Sequence, residues 1–221
     1  MPLVIGVTGS IATGKTLVCE TLVGLGAVHC DVDKLVHRMY DPGKPAFDRI
    51  VAIFGEDVIG DDGYINRRTL GGKVFGDADK MNSLTEAIGD MTAEVRKQVE
   101  SWRNDLKDDD TAVLEAVNYV ERGHGQWCDV TWLIANDEDT ARSRLMKRNN
   151  LSAEDANQRL ASQVSWETRE PASDLVIHNN GSEEELVGKV RDEYLKVRAL
   201  FDKGELPVTR FHGWWEINRT Y

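Results

Sequence analysis

The chain is short of cysteine, of basic residues and of long apolar runs, and each shortage excludes something. Its three cysteines, Cys19, Cys30 and Cys128, are far apart, odd in number and contain no C-x-x-C pair, so neither a disulfide framework nor a zinc site is indicated. The histidines (His29, His37, His124, His178 and His212) show no metal-ligand spacing either. Reduced, mostly buried thiols in a cytoplasmic protein are expected. Lys and Arg total 27 against 38 Asp and Glu, a formal net charge of -11. That balance argues against a broad basic surface for nucleic acid or anionic lipid, so an anionic ligand needs a local positive site. No stretch approaches the roughly 20 apolar residues of a membrane span. The apolar start, Leu3 to Val7, has neither the basic lead nor the length of a cleaved signal. A soluble protein without a membrane or nucleic-acid partner is expected; the oligomeric state is left open.

What is present is an alternation. With 221 residues and 41% hydrophobic content, one or at most two domains with an ordinary core are expected. Leu3-Val4-Ile5-Gly6-Val7 reads as a short buried strand, followed by a Gly- and Thr-rich turn and a helix over 15–25 whose Leu17, Val18, Thr21, Leu22 and Leu25 share a face. Ala27 to Cys30 is a second strand. Ala112 to Val117, Val130 to Ala135 and Leu175 to His178 are three more, each separated from the next by helical or polar segments. Such alternation favours a parallel sheet covered on both faces, an α/β fold. Between 61 and 111 the alternation stops: Leu84, Ile88, Met91, Val95, Val99 and Trp102 recur every three or four residues, one unusually long helical stripe. Helices are also predicted over 138–149, over 152–163 from a Ser152 N-cap, and over 182–203 from a capping box of Ser182 and Glu185. The tail from 206 to 221, with Trp214-Trp215, is left unassigned.

Gly9-Ser10-Ile11-Ala12-Thr13-Gly14-Lys15-Thr16 fits G-x-x-x-x-G-K-[ST] between a predicted strand and a predicted helix, the context the motif requires. Each part has a physical task. The glycines allow close backbone approach, the helix points its positive end at the phosphates, Lys15 spans the β- and γ-phosphates, and Thr16 can ligate magnesium. The octapeptide, with Leu17 after it, is the expected ATP-binding segment. A GTP-hydrolysing switch would carry N-K-x-D, and the chain has no Asn-Lys pair. A large motor ATPase would need more chain and a strand of four apolar residues ending in an acid. The small size and the late arginines favour a small-molecule kinase.

Asp31 and Asp33 follow the second strand, at the sheet edge where the phosphate loop also lies. A hydroxyl acceptor needs a base or orienting carboxylate, and Mg²⁺ needs oxygen ligands, direct or through water. Either aspartate can serve the metal; Asp31, with Thr16, is the expected ligand. Arg142, Arg144, Lys147 and Arg148 crowd one predicted helix, with Arg159 and Arg169 beyond, a pattern suited to a closing flap that stabilises charge on a transferred phosphoryl group. Asn180, in Asn179-Asn180-Gly181 after the last strand, is placed to border the base, although turn chemistry explains Asn-Gly equally well.

These residues resemble the dephospho-coenzyme A kinases. Gly9 to Thr16 is similar to the family's phosphate loop and Asp31-Val32-Asp33 to its D-x-D. Asp62-Gly63 with Arg67-Arg68 through Val74-Phe75 is similar to its D-G…R…L…v-F segment. Arg144-Leu145, Arg148, Leu151-Ser152 and Arg159 to Gln163 resemble its lid, and Ala172 to Gly181 its A-D-x-v-I-x-N-x-G ending. The likeness covers roughly 3–200. It implies a P-loop kinase with five parallel strands and helices on both faces. The nucleotide-binding core would be 1–60 and 104–205 with a lid at about 142–166, and 61–103 a helical acceptor-binding insertion. It further implies transfer of the γ-phosphoryl group of ATP to the ribose 3′-hydroxyl of dephospho-coenzyme A. Asp33 would be the base or orienter, Lys15 the phosphate-bridging cation, and Arg144 and Arg148 the lid charges. Two segments depart from the pattern: Gly89-Asp90 where the family has His-Pro, and Val117-Asn118-Tyr119-Val120-Glu121 where it has P-L-L-[FY]-E. Both are expected on the acceptor side. The alternatives are a related kinase for another nucleoside or nucleotide, and a non-catalytic ATP-binding module.

Overall fold

A computed structural model describes residues 1–219. In chain order it contains β1 (Leu3–Gly9), α1 (Lys15–Gly24), β2 (Val28–Asp31), α2 (Val32–Arg38), α3 (Pro45–Phe54), α4 (Arg67–Val74), α5 (Ala78–Ile88) and α6 (Met91–Asp105). There follow β3 (Thr111–Glu115), β4 (Val130–Ala135), α7 (Glu138–Asn149), α8 (Ala153–Ala161), α9 (Trp166–Arg169), β5 (Leu175–His178), α10 (Glu183–Asp202) and α11 (Arg210–Asn218). The five strands form one parallel sheet in the order β2-β3-β1-β4-β5, as the alternation of apolar runs and helices predicts. The chain passes from β1 to the β2 side and later crosses to β4 on the other side. The carboxyl end of the central strand β1 is therefore the switch point at which ligands of such sheets bind.

Contacts divide the chain into two compact units, Met1–Asp31 with Gln98–Tyr221, and Val32–Lys97. In the first, Leu3, Ile5 and Val7 of β1 share a core with Val18 and Leu22 of α1 and with Leu186, Val190 and Val197 of α10. Full burial of each such side chain contributes about 1.5–3 kcal/mol before entropy is charged against it. All of β1 is buried, and Gly6 in its middle is required by packing. A Cβ there would lie 1.9 Å from the Tyr119 hydroxyl oxygen.

The second unit begins earlier in the chain than the 61–103 segment, because Tyr40, Ala46, Ile50 and Phe54 share one core with Leu70, Val74 and Ala87. The long stripe from Leu84 to Trp102 is not one helix. Gly89 ends α5 at φ 95, a conformation that costs a side-chain-bearing residue strain. The Asp90 carboxylate then accepts the Ala93 N–H at 2.9 Å at the start of α6. Gly89-Asp90 thus breaks the helix, while the 3.6-residue apolar period continues through the break and hides it.

The unassigned tail proves to be built into the first unit as α11; its last two residues, Thr220 and Tyr221, lie outside the described residues. One carboxylate anchors it. Asp174 accepts from the Thr131 N–H at 2.7 Å and from the Thr209 hydroxyl at 2.6 Å through one oxygen, and from the Arg210 N–H at 2.7 Å through the other. This puts negative charge at the helix N-terminus, where the dipole favours it. Phe211 is fully buried, with its ring 5.8 Å from that of Tyr119 and edge-on. Tyr119, in the departing segment Val117-Asn118-Tyr119, therefore lies in the core beneath β1 and α11.

His124 is buried beside Tyr119, and its Nδ1 has no hydrogen-bond partner among the described residues. Burial, aided by the nearby Arg122 charge, lowers its pKa from the ordinary 6.5 to about 4. The unfolded chain therefore takes up a proton between pH 6.5 and 4 that the folded chain refuses, so His124 makes stability fall as pH falls through that window. Against a His124→Phe variant, the wild type is expected to lose up to about 3 kcal/mol more between pH 7 and 4. Urea midpoints across that range check this, and parallel curves for the two proteins would contradict it.

Candidate active site

The phosphate loop leaves β1 at Gly9 and enters α1 at Lys15. Gly9 has φ 153, Ala12 φ 63 and Gly14 φ 96, so both glycines of the motif take positive φ, which costs a side-chain-bearing residue strain. Side chains brought from distant parts of the chain hold its carbonyls. Asn136, after β4, donates its amide to the Ala12 carbonyl at 3.1 Å, and Asn179, after β5, donates to the Thr13 carbonyl at 2.8 Å. Asn179 also fills the space beside Gly14, where a Cβ would come 2.4 Å from its Nδ2. Lys15 folds back over the loop, its ammonium donating to the Gly9 and Ser10 carbonyls at 2.9 and 3.0 Å. Thr16 is exposed in the first turn of α1, and Leu17 is half-buried against the core.

The arginines divide by environment. Arg144, on α7, grips the loop after β5, donating to the Asn179 carbonyl at 2.9 Å, to its Oδ1 at 3.3 Å and to the Gly181 carbonyl at 3.1 Å. Arg148 is exposed near the end of α7 and donates to Asn149 at 3.0 Å. Arg169 is 1% exposed; its Nε donates to Glu121 at 2.7 Å, and its Nη1 stands 3.5 Å from the Ser10 hydroxyl of the phosphate loop. Glu121 thus balances a buried guanidinium against the loop. Asn180 accepts the Asp137 N–H at 3.0 Å and lines a cleft of about 650 Å³ with Ser10, Thr13, Asn136, Ala141 and Trp166.

Asp31 ends β2, paired in register with Glu115 at the end of β3, and Glu115 is also in register with Val7 of β1. Two carboxylates therefore stand side by side at the carboxyl edge of the first unit's sheet. The run Ala112 to Val117 reads as one strand and conceals Glu115, although Ala112-Val113-Leu114 ends there in an acid. The Thr16 hydroxyl and the Asp31 carboxylate offer oxygen, the donor chemistry Mg²⁺ selects. Asp33 belongs to the second unit, exposed in the first turn of α2. That unit carries its own cleft of about 700 Å³, lined by Arg38, Lys44, Arg49 and Lys97 with Asp41 and Glu94 among others. In an acidic chain this is a local excess of positive charge.

The family model described as "Dephospho-CoA kinase" matches residues 3–185. The curated dephospho-CoA kinase of Shouchella clausii is 35% identical over 193 residues, covering 87% of this chain and 97% of that protein. That of Geobacter sulfurreducens is 37% identical over 197 residues, covering 87% and 98%. Among solved structures, TT1252 from Thermus thermophilus aligns with a TM-score of 0.70 at 26% identity, covering 89% of this chain and 98% of that one. The dephospho-CoA kinase from Campylobacter jejuni aligns with a TM-score of 0.62 at 22% identity, covering 87% and 96%, which supports the fold.

The Asn179 amide and the missing side chain at Gly14 occupy the same space, so substitutions at the two positions should couple. Gly14→Ala is expected to cost about 1–3 kcal/mol, and Asn179→Ala a similar amount through the unpaired Thr13 carbonyl. The double variant should be less damaged than the sum, by 0.5 kcal/mol or more on the usual scale of about 0.5–3 kcal/mol for touching residues. Denaturant midpoints of the four proteins measure it, and strict additivity would show that the two do not touch.

Proposed function

Because the chain belongs to the dephospho-CoA kinase family, we propose that it transfers the γ-phosphoryl group of ATP to the ribose 3′-hydroxyl of dephospho-coenzyme A, giving coenzyme A and ADP. The observation that carries this is the phosphate loop at the sheet's switch point, with its carbonyls tied back by Asn136 and Asn179, in a chain whose family match runs over 3–185. The loop N–H groups from Gly9 to Thr16 and the α1 N-terminus cradle the phosphates, and Lys15 moves from the loop carbonyls to the β- and γ-phosphate oxygens. Arg169, held by Glu121 behind Ser10, and Arg148 on α7 supply charge to the transferred group. Arg144 acts through the loop it holds, keeping Asn179 on Thr13 and Asn180 beside the base cleft.

Thr16 and Asp31 are the oxygen donors that would hold Mg²⁺, which neutralises phosphate charge when bound. Asp33 orients the 3′-hydroxyl and accepts its proton as the oxygen attacks the γ-phosphorus and the bond to the β-phosphate oxygen breaks, releasing ADP. The acceptor's diphosphate is assigned to the basic cleft of the second unit, at Arg38 and Lys44. No helix among the described residues is long and apolar enough to cross a membrane. The three buried cysteines suit a reducing cytoplasm, where the reaction is placed.

ADP release from ATP and Mg²⁺ should be stimulated by dephospho-coenzyme A, with coenzyme A as product, and not by a panel of nucleosides and nucleotides; stimulation by another panel member alone would replace the acceptor. Asp33→Asn is expected to lower kcat by about 10²–10⁴, the usual contribution of a positioned general base, while ATP affinity stays within about twofold; equal losses in both would remove Asp33 from that role. Removing a charged contact to the acceptor, as in Arg38→Ala or Lys44→Ala, should raise KM for dephospho-coenzyme A about tenfold and leave that for ATP unchanged. A rise in both KM values would argue against the cleft assignment.

A further inference from the structure

Three side chains of different chemistry converge in the first unit beside the sheet edge. Cys19 comes from α1, His29 from β2 and Glu115 from the end of β3, and one ligand atom of each lies within 4.8 Å of the other two. His29 Nε2 is 3.1 Å from a Glu115 carboxylate oxygen, and the buried Cys19 thiol stands within 4.8 Å of both. We propose that Cys19, His29 and Glu115 form a three-ligand site for a zinc-class divalent cation, with the fourth position open to water.

The donor set selects the metal. One sulfur, one imidazole nitrogen and one carboxylate oxygen suit zinc or cobalt, whereas Mg²⁺ takes oxygen and keeps much of its water. Tetrahedral zinc with ligand bonds of about 2.0–2.3 Å separates its donors by roughly 3.3–3.7 Å. The imidazole and carboxylate are already near that spacing, and the thiol, within 4.8 Å of both, has at most roughly 1.5 Å to close. Entry is from the imidazole side: the His29 and Glu115 side chains are 25% and 13% exposed, and Cys19 is buried. Charge also closes, since the thiol gives up its proton and the resulting thiolate and the carboxylate together neutralise the cation. Burial first, and the Glu115 charge second, push the Cys19 thiol well above its ordinary range. The proton is therefore a real competitor, and occupancy rises with pH. The site was not visible as a motif because its donors lie on three elements, with His29 and Glu115 separated by 86 positions.

Cobalt(II) tests this without any turnover, so its outcome is independent of the kinase reading. Metal-free protein titrated with Co²⁺ near pH 7.5 should develop a sulfur-to-cobalt charge-transfer band, saturating at one equivalent, displaced by Zn²⁺ and unaffected by excess Mg²⁺. Cys19→Ser should abolish the band, Cys30→Ser should leave it intact, and His29→Gln should weaken Co²⁺ binding at least tenfold. The partly exposed His29 makes the last variant a safeguard against misfolding of the first. No thiolate band in the wild type, a band that survives Cys19→Ser, or a His29→Gln variant that binds as the wild type does would each overturn the site.

Discussion

The site of the first unit depends on one side-chain amide. Asn179 donates to the Thr13 carbonyl, receives Arg144 on its own Oδ1, and fills the space that a side chain at position 14 would claim. A phosphate loop works only if its backbone N–H groups converge, which requires its carbonyls to find partners elsewhere. A buried carbonyl left without one costs about 1–3 kcal/mol. Asn179 from the end of β5 and Asn136 from the end of β4 meet that requirement from two strands on one side of β1. The loop's shape is thus a property of the parallel sheet, and the five-residue spacing between the motif's glycines records only the half of the arrangement that lies within the loop.

Much of the fold was legible because burial of a short parallel strand leaves a continuous apolar run. Leu3 to Val7, Val130 to Ala135 and Leu175 to His178 read as strands for that reason, and the Ser182–Glu185 capping box marked the start of α10. Two things were not legible. Gly89-Asp90 interrupts the helix without interrupting the period of Leu84, Ile88, Met91 and Val95, because a glycine stop and an aspartate cap reorient the chain while apolar residues continue on both sides. The tail gave no period strong enough to assign, since α11 is held less by an amphipathic stripe than by the Asp174 carboxylate and by Phe211 against Tyr119. Those are tertiary contacts between residues far apart in sequence.

Within the site, local motifs were readable and assembled ones were not. Gly9 to Thr16 and Asp31 announce themselves by spacing. Arg144 and Arg169 stood out only as members of an arginine-rich stretch, which could not separate an arginine gripping a loop from one buried at 1% exposure behind Ser10. Glu115 was hidden by an overlong strand. The Cys19–His29–Glu115 cluster was hidden twice, since cysteine spacing and histidine spacing each argued against a metal, and only the packing of α1 on β2 and β3 brings one donor of each kind together.

The C-terminal helix accounts for the burial of Tyr119. Tyr119 stands in a segment where the family has P-L-L-[FY]-E, and its ring is the surface on which Phe211 packs. Its hydroxyl pairs with Thr131 at 3.1 Å, while the Thr131 N–H pairs with Asp174, which in turn anchors α11. The family match ends at 185, so α11 lies beyond it and Tyr119 lies within it. A bulky polar ring beneath β1 requires Gly6 above it and a covering aromatic beside it, and Phe211 supplies the cover. The same segment ends in Glu121, the partner of Arg169, and α11 also packs on the turn Glu170–Ala172 directly after Arg169. This segment and α11 are one packing unit, and that unit supports both halves of the ion pair behind the phosphate loop. The position of Tyr119 is therefore explained by what it packs against inside the first unit.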